Sequence, residues 1–349
     1  MSPPPAVDCR FLRACRGKND GRPPMWIMRQ AGRYLPEYQR VKRDHSFVEM
    51  CTTPEIAVDV SLQPYRRFGF DAVVVFYDIL FLPEAMGAPL TFSEAGPSFS
   101  RPIRDGRDVD ELRTPNFQSL VPGEGTGAVL STLRELRREV APEHAVLGFA
   151  GAPFTLAAYL VEGNFQRAGE RIRRMMNEAP EVLHRLLERL AVATGEYLKL
   201  QIDAGADAVQ LFDTWASLLS RADYETFALP YTQQIFSTVA TAGAPTILYI
   251  NGCSHLLDSM IASGADALSV DWREPIAVFR QRAGPDIALQ GNLDPTALFA
   301  TPESVRERTC LLLESMSGDP RYIFNLGHGI HRDTPVASVE ALVEAVRAQ

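Results

Sequence analysis

The chain has 349 residues, 46% hydrophobic and 22% charged, with a net charge of −8. This is ordinary globular composition, and its negative balance argues against a general nucleic-acid or anionic-membrane surface. The five cysteines, Cys9, Cys15, Cys51, Cys253 and Cys310, are scattered and contain no CxxC pair, which suits a reducing, cytoplasmic setting better than a disulfide framework. The opening MSPPPAVDCRFLRACRG has no apolar stretch of the signal-peptide kind, and no apolar run approaches the ~18 residues of a membrane span.

Residues 1–20 read as an N-terminal extension with a helix. The first apolar run, MWIM (25–28), reads as a buried strand that breaks into Arg29, Gln30, Gly32 and Arg33. The second is DAVVVF (71–76). The segment from Leu80 to Gly127 then reads as short extended pieces and turns at a barrel mouth, and a connection that long is usually functional. Within it, GEGTG (123–127) has the wrong spacing and context for a phosphate loop and reads as a turn. Six further apolar runs follow: AVLGFA (145–150), AVQLFD (208–213), TILYIN (246–251), ALSVDW (267–272), IALQGN (287–292) and RYIFNL (321–326). Helix-like stretches lie between them, among them RIRRMMNEAPEVLHRLLERLAVATGEYLKLQIDAG and CSHLLDSMIASG.

Continuous apolar runs are the pattern of buried parallel strands, and their alternation with helices indicates an α/β fold. GFDAVVVFYD (69–78), GADAVQLFD (205–213) and GADALSVDW (264–272) share one grammar: a Gly closes a helix, Asp-Ala enters a strand and an Asp ends it. Eight strands with repeated βα units favour a (β/α)8 TIM barrel, a single domain over residues 1–349. A doubly wound sheet is the alternative, but no GxGxxG or Walker motif follows a strand.

In such a barrel the active site lies at the C-terminal strand ends. Those ends carry Arg29, Arg33, Asp78, Asp213, Thr214, Asn251, Asp271, Asn292, Asp294 and His328, with Tyr159 a little beyond its strand. Each has a structural reading as well. Asp213 and Asp271 suit caps, Asn292 and Asp294 suit a turn that starts a helix, His328 suits a satisfied residue between glycines, and the arginines suit internal salt bridges.

The stretch MRQAGRYLPEY (28–38) resembles the signature of the uroporphyrinogen decarboxylase family of heme-pathway enzymes. FYDILFLPEAMG, GAPFTLAAYLVEG, VQLFDTWASLL, GADALSVDW, LQGNLDP and NLGHGI are similar to further family segments in the family's order, so the likeness runs from about Phe11 to the C-terminus. The resemblance implies a somewhat distorted (β/α)8 barrel, a homodimer, and activity without metal or organic cofactor. It implies substrate contacts at Arg29, Gln30, Ala31, Gly32, Arg33, Asp78, Tyr159, Thr214 and His328, with Asp78, Arg29 and Arg33 catalytic. Tyr77 stands where many relatives carry a small residue such as Ser, and Thr214 where some carry Ser.

The implied substrate, uroporphyrinogen, bears four acetates and four propionates. An acidic chain then needs a locally basic pocket, which would account for two arginines four residues apart at the end of a strand. The implied reaction turns each acetate into a methyl group. An ionised Asp78 would stabilise the ring cation, while Arg29, Arg33, Tyr159, His328 and water all stay open as proton donor. Two other readings are weighed. The cobalamin-linked methyltransferases of similar fold bind zinc through His-x-Cys, where this chain has Asn251-Gly252-Cys253 with His255 differently spaced. A non-catalytic porphyrinogen-binding protein would keep the arginines but not Asp78.

Overall fold

The computed structural model describes residues 8–93, 96–121, 123, 125–164 and 169–349. One parallel sheet joins β1 (Ala72–Val74), β4 (Ala145–Gly151), β5 (Ala208–Asp213), β6 (Thr246–Ile250), β7 (Ala267–Ser269), β8 (Ala288–Leu293) and β9 (Tyr322–Leu326) in that order. The antiparallel hairpin of β2 (Leu90–Ser93) and β3 (Gly96–Phe99) stands apart from it. The seven parallel strands curl, with helices outside, into a TIM-barrel-like fold.

The first apolar run corrects the sequence reading. MWIM is not a ladder strand: Met25 makes one isolated parallel bridge to Phe324. Residues 24–28 still bridge β9 and the start of β1. Phe324 N–H donates to the Pro24 carbonyl (2.9 Å), and Asp71 N–H donates to the Met25 carbonyl (2.9 Å). Trp26 N–H donates to the Phe324 carbonyl (3.4 Å) and Ile330 N–H to the Met28 carbonyl (2.9 Å), while side chains take up other donors of the segment. Met25 N–H donates to Asp71 Oδ2 and Met28 N–H to Asn325 Oδ1, both at 2.8 Å. Pro23 and Pro24 enter the segment without N–H donors, and Arg29 leaves it with φ 61°, so neither end continues a regular strand. This irregularity is the distortion of the barrel.

Small residues open the barrel floor. Ala72, Ala145, Ala208, Ala267 and Ala288 begin their strands, and Phe11, Leu12 and Cys15 of the helix Arg10–Cys15 pack among them. One layer higher the interior is polar. Trp26 Nε1 donates to Gln290 Oε1 (2.8 Å), and Gln290 Nε2 donates to Gln210 Oε1 (3.0 Å) and Ser269 Oγ (2.9 Å). All of these are buried, and they tie the irregular segment across the lumen to three regular strands.

The glycines of the three repeats, Gly69, Gly205 and Gly264, all take positive φ at the exits of their helices. The helical stretch 171–205 divides into Glu170–Glu178 and Pro180–Asp203, because Pro180 can start a helix but cannot continue one. The segment 80–127 holds helices Phe81–Ala85 and Gly106–Glu111 around the hairpin, where extended pieces and turns were expected. Among the described residues no helix is long and apolar enough to cross a membrane.

Candidate active site

A cleft of about 890 Å³, open mouth included, lies at the C-terminal strand ends. Two unlike walls form it. The irregular wall contributes nearly consecutive residues, Met28, Arg29, Ala31, Gly32 and Arg33, then Val74 through Ile79. The regular wall contributes single inward positions, chiefly Phe149, Phe212, Thr214, Tyr249 and His328.

On the irregular wall the chain must turn within a few residues. Gly32 has φ 77°, and a Cβ there would collide with the Phe76 ring. Gly329 is equally tight, since a Cβ would lie 2.7 Å from Arg29 Cδ. Arg33 Nη1 donates to the Ile330 carbonyl (3.0 Å), and burial together with neighbouring Arg29 draws its guanidinium down to about 10. Neither arginine has a carboxylate within ion-pair distance among the described residues, so the salt-bridge reading fails for both.

Asp78 lies farther along the same irregular wall. Its Oδ1 accepts the Leu80 N–H (2.9 Å). Burial pushes its carboxyl above the usual range, while the Leu80 amide and Arg29 pull the other way.

The regular wall is aromatic. Ring centroids follow one another at 4.2 Å from Tyr77 to Phe149, 5.5 Å to Phe212, 5.7 Å to Tyr249 and 5.9 Å to His328. Sequence reasoning missed these rings. The signal was alternation inside the apolar runs, since Phe149, Phe212 and Tyr249 follow Leu147, Gln210 and Ile247 at a spacing of two.

His328 Nδ1 accepts the Gly329 N–H (2.6 Å), which leaves Nε2 to carry the ring proton. Burial and the nearby Arg29 and Arg33 lower its pKa to about 4. It is a neutral hydrogen-bond donor near pH 7 and has no acidic proton to give.

Two sequence-predicted residues lie off the cleft lining. Gln30 is fully buried in the wall, where Nε2 donates to the Ala72 carbonyl and Oε1 accepts the Ile27 N–H, both at 3.0 Å. Its side chain closes the barrel and does not face the cavity. Tyr159, on the helix Pro153–Glu162, is half-buried with its ring against Trp215, and burial pushes its hydroxyl up to about 12.

The other strand-end polar residues serve the frame. Asp213 accepts the Thr155 hydroxyl (2.7 Å), and burial raises its carboxyl to about 6. Asp271 accepts the Gly252 N–H (2.9 Å) and pairs with Arg273. Asn251 accepts from Arg273, Asn292 donates to the carbonyls of Asp271 and Glu274, and Asp294 caps the turn Pro295–Phe299. Near Cys253 no zinc pair forms: its sulfur contacts Asp271, while His255 Nε2 lies 2.9 Å from the Leu219 carbonyl. No described group of three His, Cys, Asp or Glu is placed to hold a metal.

Comparison with known proteins places this geometry. Over nearly their whole lengths, similar curated proteins named uroporphyrinogen decarboxylase come from Carboxydothermus hydrogenoformans (44% identical, 96% of this chain and 95% of the relative) and Geotalea uraniireducens (44%, 97% and 98%). One from Myxococcus xanthus is 43% identical over 97% of this chain and 95% of its own. In fold, the chain is similar to a methyltransferase from Methanosarcina mazei, with TM-score 0.81, 23% identity and 97% of each chain covered. The family model described as "Uroporphyrinogen decarboxylase (URO-D)" matches residues 7–349. With that match and these relatives, the chain belongs to the uroporphyrinogen decarboxylase family and is a carboxy-lyase on a distorted (β/α)8 barrel.

Proposed function

We propose that the cleft binds uroporphyrinogen III and converts its four acetate side chains to methyl groups, releasing carbon dioxide and coproporphyrinogen III in tetrapyrrole biosynthesis. The observation that carries this reading is the pair Arg29 and Arg33, which line the cleft with no carboxylate within ion-pair distance among the described residues. A guanidinium is matched bidentately by a carboxylate, and each charge-assisted bond contributes roughly 1.5–3 kcal/mol. A chain of net charge −8 repels an octa-anion everywhere except at such a place.

Losing carbon dioxide from an acetate requires an electron sink. Protonation of the neighbouring pyrrole carbon supplies it: the C–C bond pair moves into the cationic ring as carbon dioxide leaves. The resulting exocyclic methylene takes a proton to become the methyl group, and the ring carbon gives its proton back. Each turn therefore consumes one proton per carbon dioxide.

In this reading Asp78 accepts the pyrrole N–H groups with the oxygen not used by Leu80 and steadies the ring cation. The aromatic arc excludes water and presents ring faces to the cation. His328 holds a substrate carboxylate through Nε2–H. Its lowered pKa leaves the proton donor to Arg29, Arg33, Tyr159 or a bound water. Thr214 lines the cleft and offers a hydroxyl, Ala31 and Gly32 give the substrate close backbone approach, and Gln30 acts from behind.

The same reading takes the protein as a single cytoplasmic domain and a homodimer. It needs no cofactor, because the substrate carries its own electron sink. Purified protein, assayed under reducing conditions, should release carbon dioxide and turn uroporphyrinogen into coproporphyrinogen, with activity that survives chelation and dialysis. Folded protein with no turnover would overturn the reading. Activity lost on chelation and restored by a metal would overturn its cofactor-free part.

A further inference from the structure

The strands β1 and β4 part company just where Asp78 enters the cleft. Their pairing ends at Val74 opposite Leu147, after which the Val75 N–H donates to the Leu147 carbonyl (3.1 Å). In a parallel ladder alternate residues of a strand bond to the same neighbour. The next residue of β4 that faces β1 is Phe149, and no β1 residue remains to meet it. A backbone N–H and C=O buried without partners would be costly.

Two side chains fill the breach. Gln201, fully buried on the helix Pro180–Asp203, accepts the Phe149 N–H at Oε1 (2.8 Å) and donates from Nε2 to the Phe149 carbonyl (2.8 Å). It imitates the missing strand, and it fits because residue 148 is glycine: a Cβ there would collide with the Gln201 amide. The Tyr77 hydroxyl donates to the same Phe149 carbonyl and accepts from Gln201 Nε2 (3.3 Å). Its ring stacks on Phe149 at 4.2 Å and meets Tyr197 edge-on at 6.1 Å. Tyr77 is bonded to Asp78, lines the cleft and is buried.

We infer that Tyr77 and Gln201 are positioning residues for Asp78, a plug that replaces the lost β1–β4 pairing and holds the Asp78 carboxylate at a set place in the cleft. This rests on the catalytic reading of Asp78 given above. A carboxylate displaced by about 1 Å is enough to lose much of a preorganised contact.

The test compares Tyr77→Phe, Gln201→Met, the double variant and Asp78→Asn in steady-state decarboxylation, with thermal unfolding of each. Tyr77→Phe keeps the ring and removes only the hydroxyl tether. The inference expects kcat to fall about tenfold in Tyr77→Phe with KM within twofold. It expects the double variant to lose little more than the worse single one, because both act on the Phe149 carbonyl. Unchanged kcat in folded Tyr77→Phe would overturn it, even if the melting temperature drops, since the tether would then be structural only. A raised KM with kcat intact would overturn it too, by making Tyr77 a substrate contact. If Gln201→Met does not fold, Tyr77→Phe alone decides. Near-normal kcat in Asp78→Asn would sink the reading of Asp78 itself, whereas a collapsed Asp78→Asn beside a normal Tyr77→Phe would sink only the positioning role.

Discussion

The two walls of the cleft are built by opposite means. Along the regular wall, β5 and β6 are paired on both sides, and β4, β5 and β6 each offer the cleft little more than one inward side chain. Along the irregular wall, residues 28–33 and 75–79 lie outside the ladder, and all of them but Gln30, together with Val74, line the cleft as runs of neighbours. A strand in a ladder sends every second side chain to the far face. A broken strand can turn consecutive residues, such as Ala31, Gly32 and Arg33 or Asp78 and its neighbours, into one cavity. The regular wall supplies shape and dryness, while the irregular wall supplies the charged groups, its two arginines without an ion-pair partner among the described residues. The backbone freed by the break is satisfied by side chains such as Gln30, Asn325 and Gln201.

The largest expected effect tests the charge of the irregular wall. Asp78→Asn keeps the shape and removes the charge, and kcat should fall 10²–10³-fold, about 2.7–4 kcal/mol. Steady-state kinetics on variant protein with a native melting curve would check it; near-normal kcat breaks the contrast between the walls.

The next effect lies behind the regular wall. Asp213 is buried, one of its oxygens has no hydrogen-bond partner among the described residues, and its pKa rises from 3.8 to about 6. A carboxyl raised on folding favours the unfolded state once the unfolded group ionises. Stability is therefore fully kept below about pH 4 and lost as pH rises toward 6. The loss amounts to about 3 kcal/mol above that window. Asp213→Asn should stabilise the protein by about that amount at pH 8 and by little at pH 4, as measured by denaturant unfolding at the two values. A gain equal at both would refute the ionised, framework role.

Smaller again is Arg33→Lys, which keeps the charge and loses the fork. KM for uroporphyrinogen should rise about tenfold, roughly 1.4 kcal/mol, with the melting temperature unchanged. Unaltered KM would mean that the irregular wall binds no carboxylate there. The smallest is Asp294→Ala. This strand-end residue caps a turn through the Thr296 N–H (2.8 Å), so the change should cost about 1 kcal/mol of stability and leave kcat and KM alone. Altered kinetics would put a regular-wall polar group into the chemistry.

Much of this was legible beforehand, and the gaps follow a pattern. Seven of the eight apolar runs are strands of the sheet, because continuous β-branched stretches between helices have few other ways to be buried. MWIM misled because apolar periodicity reports burial, not hydrogen bonding: Met25 makes a single isolated bridge to Phe324. Arg29, Arg33, Asp78, Thr214 and His328, read from strand ends, all line the cleft. Position along a strand does not say which way a side chain turns, so Gln30 was read into the cleft it stands behind. Asp213 and Asp271 look like Asp78 on paper, each closing a strand after one grammar. Only their partners, Thr155 and Arg273, distinguish them.

By itself, then, the sequence determined the barrel, the family and the presence of two arginines and an aspartate at one mouth, because burial periodicity and contiguous motifs are local properties of a chain. The tertiary structure alone decided which of the strand-end charges remain unpaired, that His328 is neutral, and that Tyr77 and Gln201 meet on Phe149. Those outcomes depend on partners scores of residues away in the chain, and on the burial that shifts a titration, neither of which any local stretch encodes.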